Sequence, residues 1–322
     1  MSFKIERISK RIGSQWILRD IEFTAEPGNV VGILGEQFSG KSTLLKVLSG
    51  ELSASLGRFG FIDSVASSLR MPKSVKLIEI PQFRGKSLSQ KLGLTPFRQG
   101  KSDISELLDV LKSKHELLLI DGGFGMLDDD DRERFATHLR KWCFESGAVA
   151  IIATRNFEDI ALMCDRAVII DGTFVVQSGS PRELYQNPRT VKAAILTGAV
   201  NLIAARRKSS TKADNPVFHL IDHPMEVIAR QTANSDLGPI NQNVNLMIRP
   251  ESVSISFGAS FPEDNLLKGR IEGIDFRGPF TFLNLDCSGL KIRANVPKVV
   301  GLEVGEECMI GLPPDRIHVL KS

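Results

Sequence analysis

A glycine-rich stretch near the amino terminus carries the residue types that bind phosphate. Residues 35–42 read Gly-Glu-Gln-Phe-Ser-Gly-Lys-Ser and fit the pattern G-x-x-x-x-G-K-[ST]. In this pattern backbone N–H groups close around phosphate oxygens, the lysine reaches the β- and γ-phosphates, and the hydroxyl after it binds Mg²⁺. The predicted nucleotide-binding residues are Gly35, Ser39, Gly40, Lys41, Ser42 and Thr43, and Ser42 is also a predicted Mg²⁺ ligand.

The sequence around this stretch has the order that a phosphate loop needs. Residues 30–34 form a continuous apolar run that predicts a buried strand, and residues 42–48 begin a helix that Gly50 ends. Such a helix directs the positive end of its dipole toward bound phosphate. The motif and its frame together predict a site that holds a nucleotide by its phosphates.

The rest of the first 200 residues mixes continuous apolar strands with helices. Apolar runs predict strands at 75–80, 117–120, 149–153 and 167–170, and helical periodicity is present at 105–111 and 129–142. Continuous apolar strands separated by helices indicate a parallel sheet covered on both faces. The predicted first domain is therefore an α/β P-loop domain at residues 1–200.

The sequence changes character around residues 204–212, which are basic and polar. A solvated linker or hairpin turn is favoured over an anionic partner for this stretch, although both interpretations are open. Short alternating runs follow at 270–276, 280–285, 290–294, 308–312 and 317–320. They predict a second domain at residues 201–322, built as a small all-β barrel or sandwich.

The bulk composition is that of a globular protein with about two domains. The chain has 322 residues, 42% of them hydrophobic, and a net charge of +3 from 41 basic and 38 acidic residues. This balance argues against a nucleic-acid partner. The first residues lead into alternating, strand-like sequence rather than a signal peptide, and no apolar run approaches the ~20 residues that span a bilayer. The four cysteines are predicted to be buried reduced thiols, and the five histidines form no convincing metal-ligand cluster.

Several further segments, taken in order after the phosphate loop, resemble one protein family. They are Asp165-Arg166, residues 177–185 (Gln-Ser-Gly-Ser-Pro-Arg-Glu-Leu-Tyr), residues 248–251 (Ile-Arg-Pro-Glu) and residues 269–280. Together they resemble the ATP-binding subunits of ABC transporters. The subgroup with a C-terminal regulatory β-domain, as in maltose-, polyamine-, sulfate- and iron-type importers, fits best. The resemblance covers essentially the whole chain and implies an ABC-type nucleotide-binding domain followed by a TOBE-like β-barrel.

The resemblance also implies cofactors and partners. ATP and Mg²⁺ are the expected cofactors. The expected partners are a membrane permease, a second ABC subunit that is either a sister chain or a second copy, and indirectly an extracellular solute-binding protein. The expected location is peripheral, at the cytoplasmic face of the inner (plasma) membrane. In this family the permease and the binding protein choose the solute, so this chain's sequence does not identify it.

The hydrolytic residues that the family would supply are only partly present. Asp121 ends the apolar run 117–120 and matches the aspartate that organises Mg²⁺. Gly122 stands where the family has the glutamate base. Loss of this base is expected to lower the rate of hydrolysis about 10²–10⁴-fold. Arg155 stands where the family has its switch histidine; it could approach a γ-phosphate as a cation but lacks the roles of a neutral imidazole. Asp128 resembles the family's inter-subunit loop aspartate and residues 129–131 are expected to cap the next helix, with substitution for the base as the open alternative.

The family's signature segment is also altered. The spacing places Phe97, Arg98, Gln99, Gly100 and Lys101 where the family has L-S-G-G-Q, and only Gly100 matches. Gln82 fits the glutamine that contacts Mg²⁺ and responds to the membrane subunit. Because Phe97 follows it so closely, the helical subdomain between them is expected to be shortened.

The nucleotide-binding residues themselves depart from the family pattern. Within the phosphate loop, Glu36 adds a carboxylate beside the phosphates and Phe38 replaces a glycine at a crowded backbone position. The aromatic residue that stacks on adenine would fall at Ile12. Trp16 lies nearby, and we interpret it as a packing residue in preference to a stacking one.

Three hypotheses follow from this mixture of kept and lost residues. The favoured one is a hydrolysis-impaired subunit of an ABC importer that pairs with a competent sister subunit. The second is an active homodimeric ATPase in which residues 128–131 or Arg155 act as substitutes. The third is a regulatory or binding module outside transport that uses the nucleotide domain as a scaffold.

Overall fold

The computed structural model describes residues 1–62, 68–80, 104–122, 124–208, 216–229, 239–257, 265–297 and 301–321. The chain divides into two compact units, Met1–Gln186 and Asn187–Ser322. The sequence-based boundary after residue 200 stays a prediction.

A six-stranded sheet forms the centre of the first unit. Its order is β10-β9-β3-β8-β7-β6, and all neighbours are parallel except β10, which is antiparallel to β9. These strands are β3 (Val30–Leu34), β6 (Val75–Glu79), β7 (Leu117–Asp121), β8 (Val149–Thr154), β9 (Arg166–Asp171) and β10 (Phe174–Gly179). The predicted parallel sheet is confirmed, because its apolar runs are the buried strands.

Helices cover both faces of this sheet. They are α1 (Lys41–Ser49), α2 (Ile104–Val110), α3 (Asp129–Ser146), α4 (Phe157–Met163) and α5 (Pro181–Gln186). Val31 and Ile33 share a core with Leu44 of α1, whereas Gly32 between them approaches Ile160 of α4. Successive residues of a strand point to opposite faces, so α1 and α4 lie on opposite sides of β3. This arrangement leaves the carboxyl ends of β3, β6, β7 and β8 to form a site.

A four-stranded antiparallel sheet completes the first unit. Its order is β2-β1-β4-β5, from β1 (Phe3–Ile12), β2 (Gln15–Ala25), β4 (Leu56–Ile62) and β5 (Leu69–Arg70). Irregular register interrupts the pairing of β1 with β2, and Arg7 and Asp20 there have φ angles of 50° and 48°. These bulges bend the two long strands over the core that they share with α1.

Two five-stranded antiparallel sheets enclose a common core in the second unit. The first has the order β13-β12-β11-β14-β20 and the second β15-β19-β16-β17-β18. The strands of the first are β11 (Asn201–Arg207), β12 (Val217–Leu220), β13 (Glu226–Ile228), β14 (Asn243–Ile248) and β20 (His318–Lys321). The strands of the second are β15 (Ser254–Ser256), β16 (Asn265–Phe276), β17 (Thr281–Cys287), β18 (Leu290–Val296) and β19 (Glu307–Leu312). The predicted small all-β, barrel-like domain is confirmed.

Two buried asparagine side chains connect these two sheets. Asn201 donates from Nδ2 to the Arg293 carbonyl over 2.8 Å and accepts from the Arg293 N–H over 2.8 Å. Asn265 accepts from the Ile228 N–H over 2.7 Å and donates to the carbonyls of Ile228 and Leu312 over 2.9 and 2.8 Å. These side-chain amides therefore satisfy backbone groups in both sheets.

Part of the basic stretch at 204–212 is a strand and not the expected linker or turn. Residues 204–207 complete β11, whose residues alternate between buried and exposed, and residues 209–212 lie outside the described part of the chain. A small buried residue, Ala205, stands between exposed neighbours, so the arginines around it are compatible with a half-buried strand.

Arginine 249 anchors a helix in the second unit. Its guanidinium donates to the carbonyls of Ala194, Gly198 and Ala199 over 3.0, 3.1 and 3.0 Å, and to Thr197 Oγ1 over 2.8 Å. These carbonyls lie at or just beyond the end of α6 (Val191–Thr197), where backbone acceptors lack helical partners. The arginine in the Ile-Arg-Pro-Glu segment therefore has a structural role.

Several side-chain environments have direct chemical consequences. All four cysteines are free and buried, as predicted, and burial raises the pKa of Cys143 to about 12. Burial lowers the pKa of His318, and the positive charges of Arg249 and Arg316 lower it further.

In the described part of the chain, no helix is both long and apolar enough to cross a bilayer.

Candidate functional site

A cavity of about 530 Å³ opens at the carboxyl ends of the central strands. Its walls come from the loop between β3 and α1, the first turns of α1, and the ends of β6, β7 and β8. The lining residues are Ile17, Gln37, Phe38, Ser39, Gly40, Lys41, Ser42, Thr43, Lys46, Glu79, Ile80, Asp121 and Arg155. The sequence-predicted residues Ser39 to Thr43 and Asp121 thus meet in one place, at the edge where open parallel sheets bind ligands, whereas Gly35 is not among the lining residues.

The phosphate-loop lysine is folded back onto its own loop. Lys41 is 8% exposed, and its Nζ donates to the carbonyls of Gly35 and Glu36 over 2.9 and 2.6 Å and to Ser39 Oγ over 3.2 Å. Burial is the main reason that its pKa falls to about 8, and Asp121 partly opposes this fall. Phosphate oxygens would give this ammonium group stronger, charge-assisted acceptors than the loop carbonyls.

The glycine before this lysine is required by the backbone. Gly40 has a φ angle of 88°, and a Cβ there would lie 2.7 Å from Leu18 Cδ2 and 2.9 Å from the Ile17 carbonyl oxygen. A side chain would meet both a strained conformation and the β2 strand. The loop therefore packs closely against β2 as it enters α1.

Phe38 has an unusual conformation for its residue type. Its φ angle is 66°, and its side chain is 93% exposed at the margin of the cavity. A bulky residue in the left-handed region carries strain of about 1–2 kcal/mol. The feature that favours glycine at this position is the left-handed φ angle, and the crowding expected from the sequence is not observed around the exposed side chain.

Three strand ends supply the charged groups opposite the loop. Asp121 ends β7, Glu79 is its register partner at the end of β6, and Arg155 follows the last residue of β8. Lys46 of α1 forms an ion pair with Glu79, with 2.9 Å between Nζ and Oε1. Neither Glu79 nor Lys46 belongs to a motif that predicts a site residue. The signal available was that Glu79 closes an apolar run neighbouring Asp121.

Gly122, at the position where the family has its glutamate base, is packed against neighbouring strands. Gly122 donates its N–H to the Ala153 carbonyl over 3.1 Å, and Ile80 donates its own to the Asp121 carbonyl over 2.7 Å. A Cβ at Gly122 would lie only 2.8 Å from Ile80 Cδ1. The buried Ile80 side chain thus occupies the space that a longer residue at 122 would need.

The aspartates after β7 cap a helix. Asp128 is the N-cap of α3, and its Oδ1 accepts from the Asp131 N–H over 2.8 Å, while Asp129, Asp130 and Asp131 lie in the first turn. The expected capping is therefore present, but Asp128 itself performs it. An N-cap needs a short acceptor outside the helix, and Asp128 has the extended backbone for that role. None of these aspartates is among the residues that line the described cavity.

The other site residues predicted from the sequence are not among those that line the cavity. Ile12 pairs with Gln15 at the β1–β2 turn, is 53% exposed and does not line the described cavity, whereas Ile17 of β2 does. The guanidinium groups of Arg11 and Arg19 lie 5.9 and 5.8 Å from the Trp16 ring centroid. The remaining predicted residues, Gln82, Phe97, Arg98, Gln99, Gly100 and Lys101, lie outside the described residues, as does the predicted shortened subdomain.

The donor set of the cavity fits a magnesium nucleotide. Ser42 and Asp121 present a hydroxyl and a carboxylate to the same space as the phosphate loop. Such hard oxygen ligands are the ones that Mg²⁺ takes alongside phosphates. The loop, the lysine and these two oxygen ligands are the parts that P-loop nucleotide sites use.

Comparison with known proteins identifies two domains. Residues 18–133 match the family described as ABC transporter, and residues 246–320 match the TOBE domain. The chain contains an ABC transporter domain followed by a TOBE domain. Its ABC domain contains the phosphate loop and Asp121, and its TOBE domain lies in the all-β unit.

Three relatives align with much or nearly all of this chain. It is 26% identical to the molybdate/tungstate import ATP-binding protein WtpC of Pyrococcus horikoshii, over 98% of this chain and 99% of that protein. It is 25% identical to the spermidine/putrescine import ATP-binding protein PotA of Borreliella afzelii, over 94% and 93%. It is 26% identical to the sulfate/thiosulfate import ATP-binding protein CysA of Synechococcus elongatus, over 63% and 70%.

Proposed function

We propose that this ATP-binding subunit of an ABC import system binds ATP with Mg²⁺ at the described cavity but is impaired in hydrolysis. In the proposed assembly it pairs with a competent second ABC subunit and a membrane permease at the cytoplasmic face of the membrane. An extracellular solute-binding protein delivers the solute. The observation that carries the proposal is that Lys41, Ser42 and Asp121 line one cavity, whereas Gly122, next to Asp121, has no side chain that could act as a base.

The retained groups support nucleotide binding. The loop around Gly40, the Lys41 ammonium group, Ser42 and Asp121 converge on one cavity of about 530 Å³. A volume of this size suits a small-molecule site. The carboxylate and the hydroxyl provide for Mg²⁺, which supplies charge neutralisation of the phosphates when bound.

The missing base supports impaired hydrolysis. Gly122 offers no acceptor to orient water, and Asp128 is occupied as the N-cap of α3. Among the described residues, the carboxylates that line the cavity belong to Asp121 and Glu79, and Glu79 is paired with Lys46. Loss of a positioned base lowers the rate of hydrolysis about 10²–10⁴-fold.

The proposed pairing follows from where the defects lie. ATP sites of this family combine the phosphate loop of one subunit with the signature of the other. One composite site would then lack a base at Gly122, and the other would use the altered signature of Phe97–Lys101. Slow hydrolysis confined to the second composite site is the expected outcome.

The second candidate, an active homodimeric ATPase, is favoured by one observation. Glu79 lies in the cavity at the strand end beside Asp121, so a carboxylate that the family pattern does not require is present. The candidate requires Glu79 to leave Lys46 and orient water. The third hypothesis, a regulatory module, gains no specific support from the cavity.

The test compares binding with turnover in the purified chain. ATP affinity with Mg²⁺ is measured by calorimetric titration for the wild type, Lys41→Ala and the control Lys112→Ala, which alters an exposed lysine remote from the cavity. We expect Lys41→Ala alone to weaken binding at least about tenfold, because charge-assisted hydrogen bonds contribute about 1.5–3 kcal/mol. Turnover of the wild type is expected to equal that of Lys41→Ala.

Two results would change the conclusion. Lys41-dependent turnover at about 1–10³ s⁻¹, the range of ordinary enzymes, would refute impaired hydrolysis. If Glu79→Gln then removed that turnover, the active homodimer would be the correct function. Absence of Lys41-dependent ATP binding would instead favour the scaffold role.

A further inference from the structure

A surface patch of arginine and aromatic side chains lies outside the nucleotide cavity. The guanidinium groups of Arg11 and Arg19 lie 5.9 and 5.8 Å from the ring centroid of Trp16. Arg19 also lies over the Phe174 ring, 5.8 Å from its centroid. These four residues form the arginine–tryptophan patch, and none of them is among the residues that line the described cavities.

The backbone beneath the patch is fixed at two points. Arg11 is the register partner of Trp16 where β1 turns into β2. Its N–H donates to Ser55 Oγ over 3.0 Å, and the Arg19 N–H donates to the Thr173 carbonyl over 2.8 Å, just before β10 begins at Phe174. Because both arginines start from a fixed backbone, less entropy is lost when the patch binds a partner.

The positive charge of the patch is not neutralised. Arg11 and Arg19 are exposed, and within the described ranges no ion pair or side-chain hydrogen bond engages either guanidinium. Contact with a ring contributes attraction but supplies no counter-charge. Arg70 of the same sheet differs, because it lies over the Phe61 ring and also pairs with Glu116 over 3.0 Å. Two neighbouring cations without a carboxylate favour an anionic partner.

The residue types of the patch indicate a protein as that partner. Tryptophan and arginine are enriched among the residues that contribute most to protein–protein binding. Phe174 is 47% exposed and Ile12, in the adjacent turn, is 53% exposed, so apolar area borders the charge. Small molecules are bound in concave pockets, and the patch lines none of the described ones.

The number of cations argues against a nucleic acid. Proteins that bind nucleic acids tightly contact about 6–10 phosphates, whereas the patch offers two arginines and the whole chain has a net charge of only +3. Bases also stack on an open ring face, and guanidinium groups lie over the Trp16 ring.

An acidic peptide segment matches the spacing of the charges. The distances to the shared ring place the two guanidinium groups at most about 12 Å apart. Side chains two or four residues apart lie on one side of an extended peptide, with separations of about 7 or 13 Å. One short segment therefore spans both arginines.

We propose that the arginine–tryptophan patch is a docking surface for an acidic segment of a partner protein. Carboxylates of the segment bind Arg11 and Arg19 through charge-assisted, forked hydrogen bonds, while its apolar residues cover Phe174 and Ile12. The inference goes beyond the proposed function and does not depend on it, because no residue of the patch lines the nucleotide cavity.

The test measures the binding of fluorescein-labelled peptides by fluorescence anisotropy. The probe is a short peptide in which glutamate and phenylalanine alternate, each separated by serine, so that one side of the extended chain carries both. The matched peptide has glutamine in place of glutamate. The proteins are the wild type, Arg11→Gln/Arg19→Gln, Arg11→Lys/Arg19→Lys and the control Arg134→Gln/Arg182→Gln, which removes the same charge from two exposed arginines of the first unit outside the patch.

The wild type should bind the glutamate peptide with a Kd below about 1 mM and at least about tenfold more tightly than the glutamine peptide. Arg11→Gln/Arg19→Gln should weaken this binding about tenfold or more, and the control pair by less than about threefold. Arg11→Lys/Arg19→Lys should recover part of the affinity, since lysine keeps the charge without the fork. Urea denaturation checks that each variant folds. If the glutamine pair did not fold, Arg11→Gln and Arg19→Gln would be compared singly, each with an expected loss of about threefold or more.

Several results would overturn the inference. Equal affinity for the glutamate and glutamine peptides is one, and equal losses in the patch and control variants are another. Tighter, patch-dependent binding of a fluorescein-labelled oligothymidylate would show that the partner class is wrong. Self-association in sedimentation velocity that Arg11→Gln/Arg19→Gln abolishes would assign the patch to a second copy of the chain instead. None of these results bears on Lys41-dependent ATP binding, so the proposed function is tested separately.

Discussion

Adding a side chain at Gly122 tests why the expected base is absent. A Cβ at this position would lie 2.8 Å from Ile80 Cδ1 and 3.2 Å from Ile80 Cγ1. Favourable carbon–carbon contacts begin near about 3.5 Å. The φ angle of Gly122 is outside the left-handed region, so its backbone accepts an L-residue. The obstacle is therefore the Ile80 side chain.

The magnitude follows from this overlap. Forcing an extra group into a packed core typically costs about 1–3 kcal/mol of unfolding free energy. Ile80→Val removes the closest atom and by itself costs about 0.5–1.5 kcal/mol. Because the second change relieves the clash made by the first, the double variant should be more stable than additivity predicts, by about 1 kcal/mol.

The assay is a double-mutant cycle read by urea denaturation. Gly122→Ala, Ile80→Val and their combination isolate the steric effect, since alanine adds only the Cβ and no charge. Both tryptophans, Trp16 and Trp142, belong to the first unit, so tryptophan fluorescence follows its unfolding. Gly122→Glu is then made with and without Ile80→Val, and any gain in ATP turnover should require Ile80→Val.

Two findings would refute this reasoning. One is a Gly122→Ala effect below about 0.5 kcal/mol, within the range of an ordinary surface substitution. The other is strict additivity of Gly122→Ala and Ile80→Val. Either would mean that Ile80 does not exclude a side chain at Gly122, and the missing base would be a simple substitution without steric reinforcement.

Other residues give independent predictions. Phe38→Gly should raise the unfolding free energy by roughly 0.5–1 kcal/mol, because relief of left-handed strain exceeds the added entropy of the unfolded chain. Phe38→Ala, which keeps the Cβ, is the control. If urea denaturation showed no difference between Phe38→Gly and Phe38→Ala, the strain at this position would be contradicted. Asn265→Leu should destabilise the second unit by up to about 1–3 kcal/mol for each backbone group that it leaves unpaired at Ile228 and Leu312, measured by calorimetry. The lowered pKa of His318 means that the unfolded chain binds the proton more readily, so stability should fall as pH drops below about 6.5. His318→Gln should flatten that pH dependence in calorimetric scans between pH 5 and 8, and an unchanged slope would exclude His318 as the cause.

The central sheet was predictable because its strands are continuous apolar runs. Residues 30–34 and 117–120 predicted β3 and β7 almost to the residue, since burial on both faces removes the polar alternation that makes strand limits ambiguous. The β1–β2 pair was less visible. Its alternation is interrupted where Arg7 and Asp20 form bulges, and a bulge shifts the side-chain period by one residue.

The candidate site was predictable where a short motif defines it and not where it depends on strand register. Residues 35–42 specify the phosphate loop through local backbone requirements alone. Glu79 and Ile80 enter the site only because β6 lies beside β7 in a register that pairs Glu79 with Asp121. Nothing local in the sequence fixes that register, since parallel neighbours are brought together by helices packed elsewhere.

The departures at Gly122 and Arg155 act in the same electrostatic direction. Relative to the family pattern, one removes a negative charge and the other adds a positive charge, beside a cavity that keeps its phosphate loop. Both changes favour a bound polyphosphate, and the change at Gly122 also removes a carboxylate that could activate water. Tighter binding stabilises the occupied state in proportion to RT ln(1 + [ATP]/Kd) and needs no hydrolysis to do so. Under the proposed function, a site altered in this way would therefore hold ATP without needing to hydrolyse it.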